Sequence, residues 1–253
     1  MDLNERQEEL LGLVRQEGYV SVDDLAQRFD VTTQTIRRDI NQLAEQNLLR
    51  RYHGGAGLPS SIENIAYTQR QVQNSAEKER IAALVASQIP NDTSLILNIG
   101  TTTEAVAKAL YNHRGLRVVT NNLNVAAILA GNPDNEIIVV GGMVRSVDRG
   151  IIGEATMDFI RQFKVDIGII GVSSIEPDGT LRYFDYREVK VAQTIIGQSR
   201  KTWLVVDHSK FGRDAMVRFG DLSQIDAIFT DAPPPPAMKA VLREAGTVVH
   251  VAA

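Results

Sequence analysis

The sequence predicts an α/β protein in two parts, a small winged helix-turn-helix unit followed by a parallel sheet covered on both faces by helices. Three observations predict it. Residues 31–55 (VTTQTIRRDINQLAEQNLLRRYHGG) hold a short amphipathic helix and then a basic, glycine-tipped hairpin pattern. Further on, apolar runs such as SLILNIG, LRVVT and VDIGIIGVS alternate with helical segments, the pattern of strands buried on both faces. Between these regions lies a polar stretch with Pro59, Ser60 and Ser61 and no sustained apolar period. The expected division is residues 1–57, a linker at 58–75 and an α/β unit at 76–253.

The first helix is expected from about Leu3 to Glu17, with Leu3, Leu10, Leu11 and Val14 on one face and Gly18 as its stop. Ser21 caps the second, with Asp24 at the capping-box spacing and Leu25 and Phe29 as an i, i+4 apolar pair. The link Asp30-Val31-Thr32 is short, and Thr32 caps the third helix. There Ile36, Ile40 and Leu43 share one side, while Gln34, Arg37, Arg38 and Asn41 fall almost opposite. Such side chains hydrogen-bond base edges and phosphates in a major groove. Taken alone, this helix is equally well a solvated amphipathic one; the short helix and tight turn before it favour helix-turn-helix. Leu48 and Leu49, then Arg50, Arg51, Tyr52, His53 and Gly54-Gly55, read as a wing. The expected DNA-contacting set is Thr33, Gln34, Thr35, Arg37, Arg38, Asn41, Arg50, Arg51 and His53, on a double-stranded operator.

Bulk charge points the other way. The chain carries 27 Lys plus Arg against 31 Asp plus Glu, and residues 1–57 hold 7 basic and 10 acidic side chains. From Val31 to Gly57, however, there are 4 Arg against 2 acids, so positive charge gathers where a groove would lie. Weak non-specific affinity is expected, because that binding is mostly counterion release. The absence of cysteine removes disulfides and thiolate chemistry, and His53, His113, His208 and His250 show no metal-ligand spacing. No apolar run reaches the roughly 18 residues of a membrane span. A cytoplasmic protein without metal or cofactor is expected.

From Glu77 a helix with Ile81, Leu84, Val85 and Ile89 runs to Pro90-Asn91-Asp92, and the strand-helix alternation follows. Loops at the carboxyl ends of such strands bind ligands. The first holds Asn98, Gly100, Thr101, Thr102 and Thr103 at a helix N-terminus, where free N–H groups favour an anion. It is neither a Walker A loop nor a dinucleotide turn. Others hold Asn121, then Gly141-Gly142 with Arg145, and Asp207 with Lys210. Each has an ordinary turn or surface role by itself; together they supply neutral donors and two cations, which suits a small phosphorylated polyol or sugar. The Pro233–Pro236 run reads as a rigid loop at a helix start, and Trp203 as core.

The run TTQTIRRDINQLAEQNLLRRYHGGA resembles the N-terminal signature of DeoR-family bacterial repressors. The series N-x-G-T-T, T-N, G-G, Asp166 to Gly171, Glu188 with Lys190, and D-x-x-K-F is similar to the effector domain of that family. This likeness implies a domain like sugar-phosphate isomerases of the ribose-5-phosphate isomerase type, and it adds Asp166, Glu188 and Lys190 to the expected effector-binding residues. The segments TNNLNVA, GIIGEATMDFI, VDHSKFGR and TDAPPP are closest to the branch answering to glycerol 3-phosphate, which implies that effector and its release of DNA. Two positions depart from the family pattern: Asn98 stands where Asp is usual, and Ser174 where Gly is frequent.

Another sugar phosphate is the alternative effector. An isomerase reading needs a carboxylate base beside the sugar, for which Asp166, Glu188 and Asp207 qualify, yet each has an ordinary role and a sensor needs only binding. A third reading is a DNA-binding scaffold whose α/β part only oligomerises. The expectation is a non-enzymatic sensor acting as a homo-oligomer, dimer or tetramer, because paired half-sites follow from two-fold symmetry.

Overall fold

The computed structural model describes residues 3–17, 19–46, 48–52, 54–57 and 67–252. Gly18, His53 and residues 58–66 of the expected linker lie outside them. The chain divides into two compact units, residues 1–63 and 64–253.

In the first unit, helices span Glu5–Glu17, Val22–Arg28 and Thr33–Glu45. Short strands Tyr19–Ser21, Arg50–Tyr52 and Gly55–Gly57 form an antiparallel sheet with the last of them in the middle. Ser21 and Thr32 cap the second and third helices as expected, accepting from the N–H of Asp24 at 3.0 Å and of Thr35 at 3.2 Å. Asp30 takes the left-handed conformation that lets the chain turn between them. Leu10, Val14, Leu25, Ile36, Ile40 and Leu43 meet in one buried core, so the apolar stripe of the third helix faces inward. Asp39 is buried on that helix and is answered by Arg6 Nε at 2.7 Å and Gln7 Nε2 at 3.3 Å.

In the second unit a seven-stranded parallel sheet bears out the α/β expectation. In spatial order its strands are Val248–Val251, Ala227–Thr230, Ser199–Val205, Val165–Ile170, Ser94–Leu97, Arg117–Thr120 and Glu136–Val139. Period-2 alternation assigns each strand to two cores: Leu95 and Leu97 join one cluster and Ile96 the other. Helices Ser75–Ser87, Thr101–Ala109 and Leu123–Leu129 contribute to the first core, and Glu154–Ile160, Tyr186–Gly197 and Lys239–Ala245 to the second. Trp203 is buried, and Pro236 opens a short 3-10 turn ahead of the last helix.

Strand order reverses beside Ser94–Leu97. Successive strands from there step to one edge, and the chain then returns to Val165–Ile170 on its other side and steps to the opposite edge. The crevice at the carboxyl ends of these two strands is the topological switch point, where ligands bind in open sheets. Sequence periodicity did not expose a second, antiparallel sheet of Ser174–Ile175, Thr180–Tyr183 and Val217–Asp221, nor the flap Met143–Val144/Ile151–Ile152.

Candidate functional site

On the first unit, Thr33, Gln34, Arg37, Arg38 and Asn41 are exposed along the third helix, while its buried side is apolar. Thr35 is half-buried and its hydroxyl lies 2.9 Å from that of Thr32, so its polarity is spent on the cap. Arg51 Nη1 donates to Asn41 Oδ1 at 3.2 Å, which ties the strand pair to the exposed helix face. Arg50 lies over the ring of Tyr52, 5.5 Å from its centroid, and Tyr52 meets Tyr19 edge-on. This gives a polar, arginine-bearing ridge on a rigid apolar base.

On the second unit, a cavity of about 50 Å³ opens at the switch point. Gly100–Thr103 come to it from the first strand, Gly171–Ser173 from the second, and Lys210 and Arg213 from the loop after Ser199–Val205. Arg70 reaches it from the short helix Tyr67–Val72, and Glu188 and Tyr183 complete the wall. Gly100 has φ +149°, which lets the chain turn straight from strand into helix. Thr103 Oγ1 closes that turn by donating to the carbonyls of Asn98 at 2.8 Å and Gly100 at 2.7 Å. The hydroxyls of Thr101 and Thr102 have no such partner among the described residues.

Three cations therefore line one cavity, and burial acts on the charge of Lys210 and Arg213. It pushes Lys210 down to about 8, with Asp207 opposing the shift and Arg213, Lys78 and Arg70 adding to it. Arg213 is pushed down to about 10 by burial and by Arg70, and its guanidinium packs over Phe184 at 4.7 Å. Burial alone would raise Asp207, yet Lys210, Ser209, Asn74 and Lys78 together hold it below the ordinary carboxylate range. Asn74 Nδ2 donates to it at 3.0 Å.

The helix bearing Arg70 is itself clamped. Lys78, buried and lowered by that burial, donates to the carbonyls of Arg70 and Gln73. Tyr67 donates to Glu104 Oε2 at 2.7 Å, and Asn122 and Asn124 hold Glu104 Oε1 at 3.1 and 3.0 Å. Ser174 Oγ donates to the carbonyl of Arg213, so the residue that departs from the family pattern anchors the loop carrying a cavity cation.

Of the expected effector residues, the cavity brings together Gly100, Thr101, Thr102, Thr103, Glu188 and Lys210. Asp207 stands behind Lys210, and Arg145 stands behind Glu188, donating to its Oε1 at 2.5 Å. Asn98 is buried at the strand end, its carbonyl closing the Thr103 turn. The cavity does not bring in Asp166, Lys190, Gly141, Gly142 or Asn121. Asp166 begins its strand and holds the Ser94 N–H at 3.1 Å, so it sits at the amino end of the sheet. Lys190 lies two residues past Glu188, on the exposed side of the same helix. Gly141 and Gly142 shape the flap instead, the carbonyl of Gly141 accepting from Thr156 at 2.9 Å. Asn121 is fully buried and donates to the carbonyl of Ile151 at 3.2 Å. His53 lies outside the described residues. The sequence reading missed Arg70, Tyr183 and Arg213, of which only Arg213, three residues past Lys210 in VDHSKFGR, stood inside a noted motif.

Comparison with known proteins places these two units. The family model described as DeoR-like helix-turn-helix domain matches residues 6–62, and that of the DeoR C terminal sensor domain matches residues 73–232. The glycerol-3-phosphate regulon repressor of Escherichia coli (strain K12) is 55% identical over 244 residues, covering 96% of this chain and 97% of the relative. The repressor of the same name from Haemophilus influenzae is 52% identical over 225 residues, covering 89% and 88%. Among solved structures, ribose 5-phosphate isomerase A from Methanocaldococcus jannaschii is similar over 55% of each chain, with TM-score 0.42 and 12% identity. Among the described residues no helix is long and apolar enough to cross a membrane.

Proposed function

The chain belongs to the DeoR family of transcriptional repressors, and from that premise we propose that a small phosphorylated metabolite, glycerol 3-phosphate, releases it from its operator. The observation that carries this reading is the cavity at the switch point, where Arg70, Lys210 and Arg213 gather at the first turn of the Thr101–Ala109 helix. A phosphate dianion pairs with these cations, and the helix N-terminus and threonine hydroxyls supply further donors. A cavity of about 50 Å³ holds a few water molecules, which suits a three-carbon phosphate better than a hexose phosphate. The 55% identity to a repressor named for glycerol 3-phosphate supports the same choice.

In this reading Thr33, Gln34, Arg37, Arg38 and Asn41 read the major groove, with Arg50 and Arg51 holding the backbone. The protein works in the cytoplasm as a homo-oligomer on paired half-sites, and it binds its effector without turning it over. Effector lowers DNA affinity by binding the released state more tightly than the operator-bound one. A thermal-shift series of phosphorylated polyols and sugars, repeated with operator DNA in a gel shift, tests it. Glycerol 3-phosphate is expected to raise the melting temperature and to free the operator. A ligand at 100 times its dissociation constant adds about 2.7 kcal/mol of stability. Absence of both effects for every phosphate ester overturns the reading.

A further inference from the structure

The same cavity carries charge of both signs, and the negative member has its own counter-ion. Glu188 lines the cavity from the first turn of Tyr186–Gly197. Its Oε1 accepts from Arg145 Nη1 at 2.5 Å, and Arg145 is not among the cavity residues. That one guanidinium serves three carboxylates: it also donates from Nη1 to Asp185 at 3.3 Å and from Nε to Asp148 at 3.1 Å. Glu188 is therefore fixed in place and only partly neutralised, burial raising its affinity for a proton against the pull of Arg145. Its second oxygen accepts no hydrogen bond from the described residues. An ionised carboxylate only accepts hydrogen bonds.

We propose that Glu188 makes this cavity select a phosphorylated alcohol over its oxidised counterparts. The cations take the phosphate, and Glu188 takes the hydrogen of a ligand hydroxyl. A carbonyl at that carbon has no hydrogen to give and sets oxygen against oxygen; a carboxylate on the neighbouring carbon leaves the hydroxyl but adds like-charge repulsion. Sites built to bond a hydroxyl reject analogues lacking it because the buried polar group is left unpaired. The sensor thus reports the reduced form of a short phosphorylated carbon chain. This deepens the reading above and rests on it.

Calorimetric titration of the full chain tests the idea with four probes: glycerol 3-phosphate, dihydroxyacetone phosphate, 3-phosphoglycerate and inorganic phosphate. The unaltered protein is expected to prefer glycerol 3-phosphate over the ketone and the acid by a factor of about ten or more. Glu188→Gln brings those three within a few-fold of one another and, having lost a like charge, binds inorganic phosphate at least as tightly as before, which also reports that the variant is folded. Glu188→Asp restores the order of preference. Equal binding of alcohol, ketone and acid by the unaltered protein overturns the proposal without any variant. So does a Glu188→Gln protein that still discriminates. Failure of the unaltered protein to bind any of the four instead overturns the phosphate-sensor reading itself.

Discussion

Both units present cations, arginines alone in the first and Lys210 with arginines in the second, but in opposite surroundings. In the first unit Arg37 and Arg38 are exposed on a helix whose opposite side is the core. In the second, Lys210 and Arg213 sit in a confined cavity where burial lowers their affinity for protons. Exposed cations stay solvated until DNA arrives, so salt governs them. Cavity cations have already lost much of their water and repel one another, so pH and ligand govern them. One surface suits a polymer found by long-range attraction; the other suits a single small anion. The prediction is that changes in one unit leave the other's ligand untouched, and each test below can break that separation.

The largest effect is expected at Lys210. Lys210→Ala removes a charge-assisted contact and should weaken glycerol 3-phosphate by about 2–3 kcal/mol, or roughly 30- to 150-fold. Operator affinity without effector stays level in a gel shift, and the repressor fails to release. A normal response to effector in Lys210→Ala would place the site elsewhere. Next is Arg38→Ala, expected to cost about 1–3 kcal/mol at the operator while the effector-induced thermal shift stays the same. A change in both would mean that the two surfaces are not independent.

Much of this comparison is legible in the sequence, and the exceptions have physical reasons. The reading helix shows itself because its buried and exposed residues alternate with the helical period, and no distant contact is needed to see it. Long apolar strands such as Val165–Ile170 are visible for the same reason. The antiparallel strands are not, since Ser174–Ile175 and Thr180–Tyr183 are short and straddle Pro177-Asp178-Gly179, which reads only as a turn. Arg70 was hidden because its helix has six residues and none of them is buried, so nothing periodic marks it. Asp166 and Lys190 were added by motif likeness, which does not say which end of a strand or which side of a helix faces the ligand. Asp39 drew no reading from the sequence, because the groups that answer its buried carboxylate, Arg6 and Gln7, lie more than thirty positions earlier.

A smaller effect is expected from pH, and its sign follows from Lys210. Its folded-state value of about 8 lies below the ordinary 10.5. The resulting destabilisation of the ligand-free protein is complete below pH 8 and is relieved as pH rises from there towards 10.5. A bound dianion favours the protonated lysine, so binding above pH 8 takes up a proton and affinity falls as pH rises. The limit is about tenfold per pH unit, or about 1.4 kcal/mol. Below about pH 6 the phosphate itself takes up a proton, which leaves a plateau from about 6 to 8. Effector titrations from pH 6.5 to 9.5 check this, and Lys210→Arg should flatten the upper limb. A fall in affinity that survives in Lys210→Arg would assign the titration to another group.

The smallest effect isolates the loop that carries Arg213. Ser174 is fully buried, and its hydroxyl donates to the carbonyl of Arg213. Ser174→Ala removes that one hydrogen bond, worth about 1 kcal/mol, without touching the cavity wall. If the bond serves only the fold, the variant melts lower and binds effector as before. If it aims Arg213, effector affinity drops roughly fivefold as well, while inorganic phosphate and operator DNA separate the two causes. Loss of phosphate affinity with an unchanged operator constant assigns Ser174 to the placement of the cation. Parallel loss of both ligands would show that a buried hydroxyl in the sensor sheet supports the whole chain, and the separation of the two arginine surfaces would fail at its weakest point.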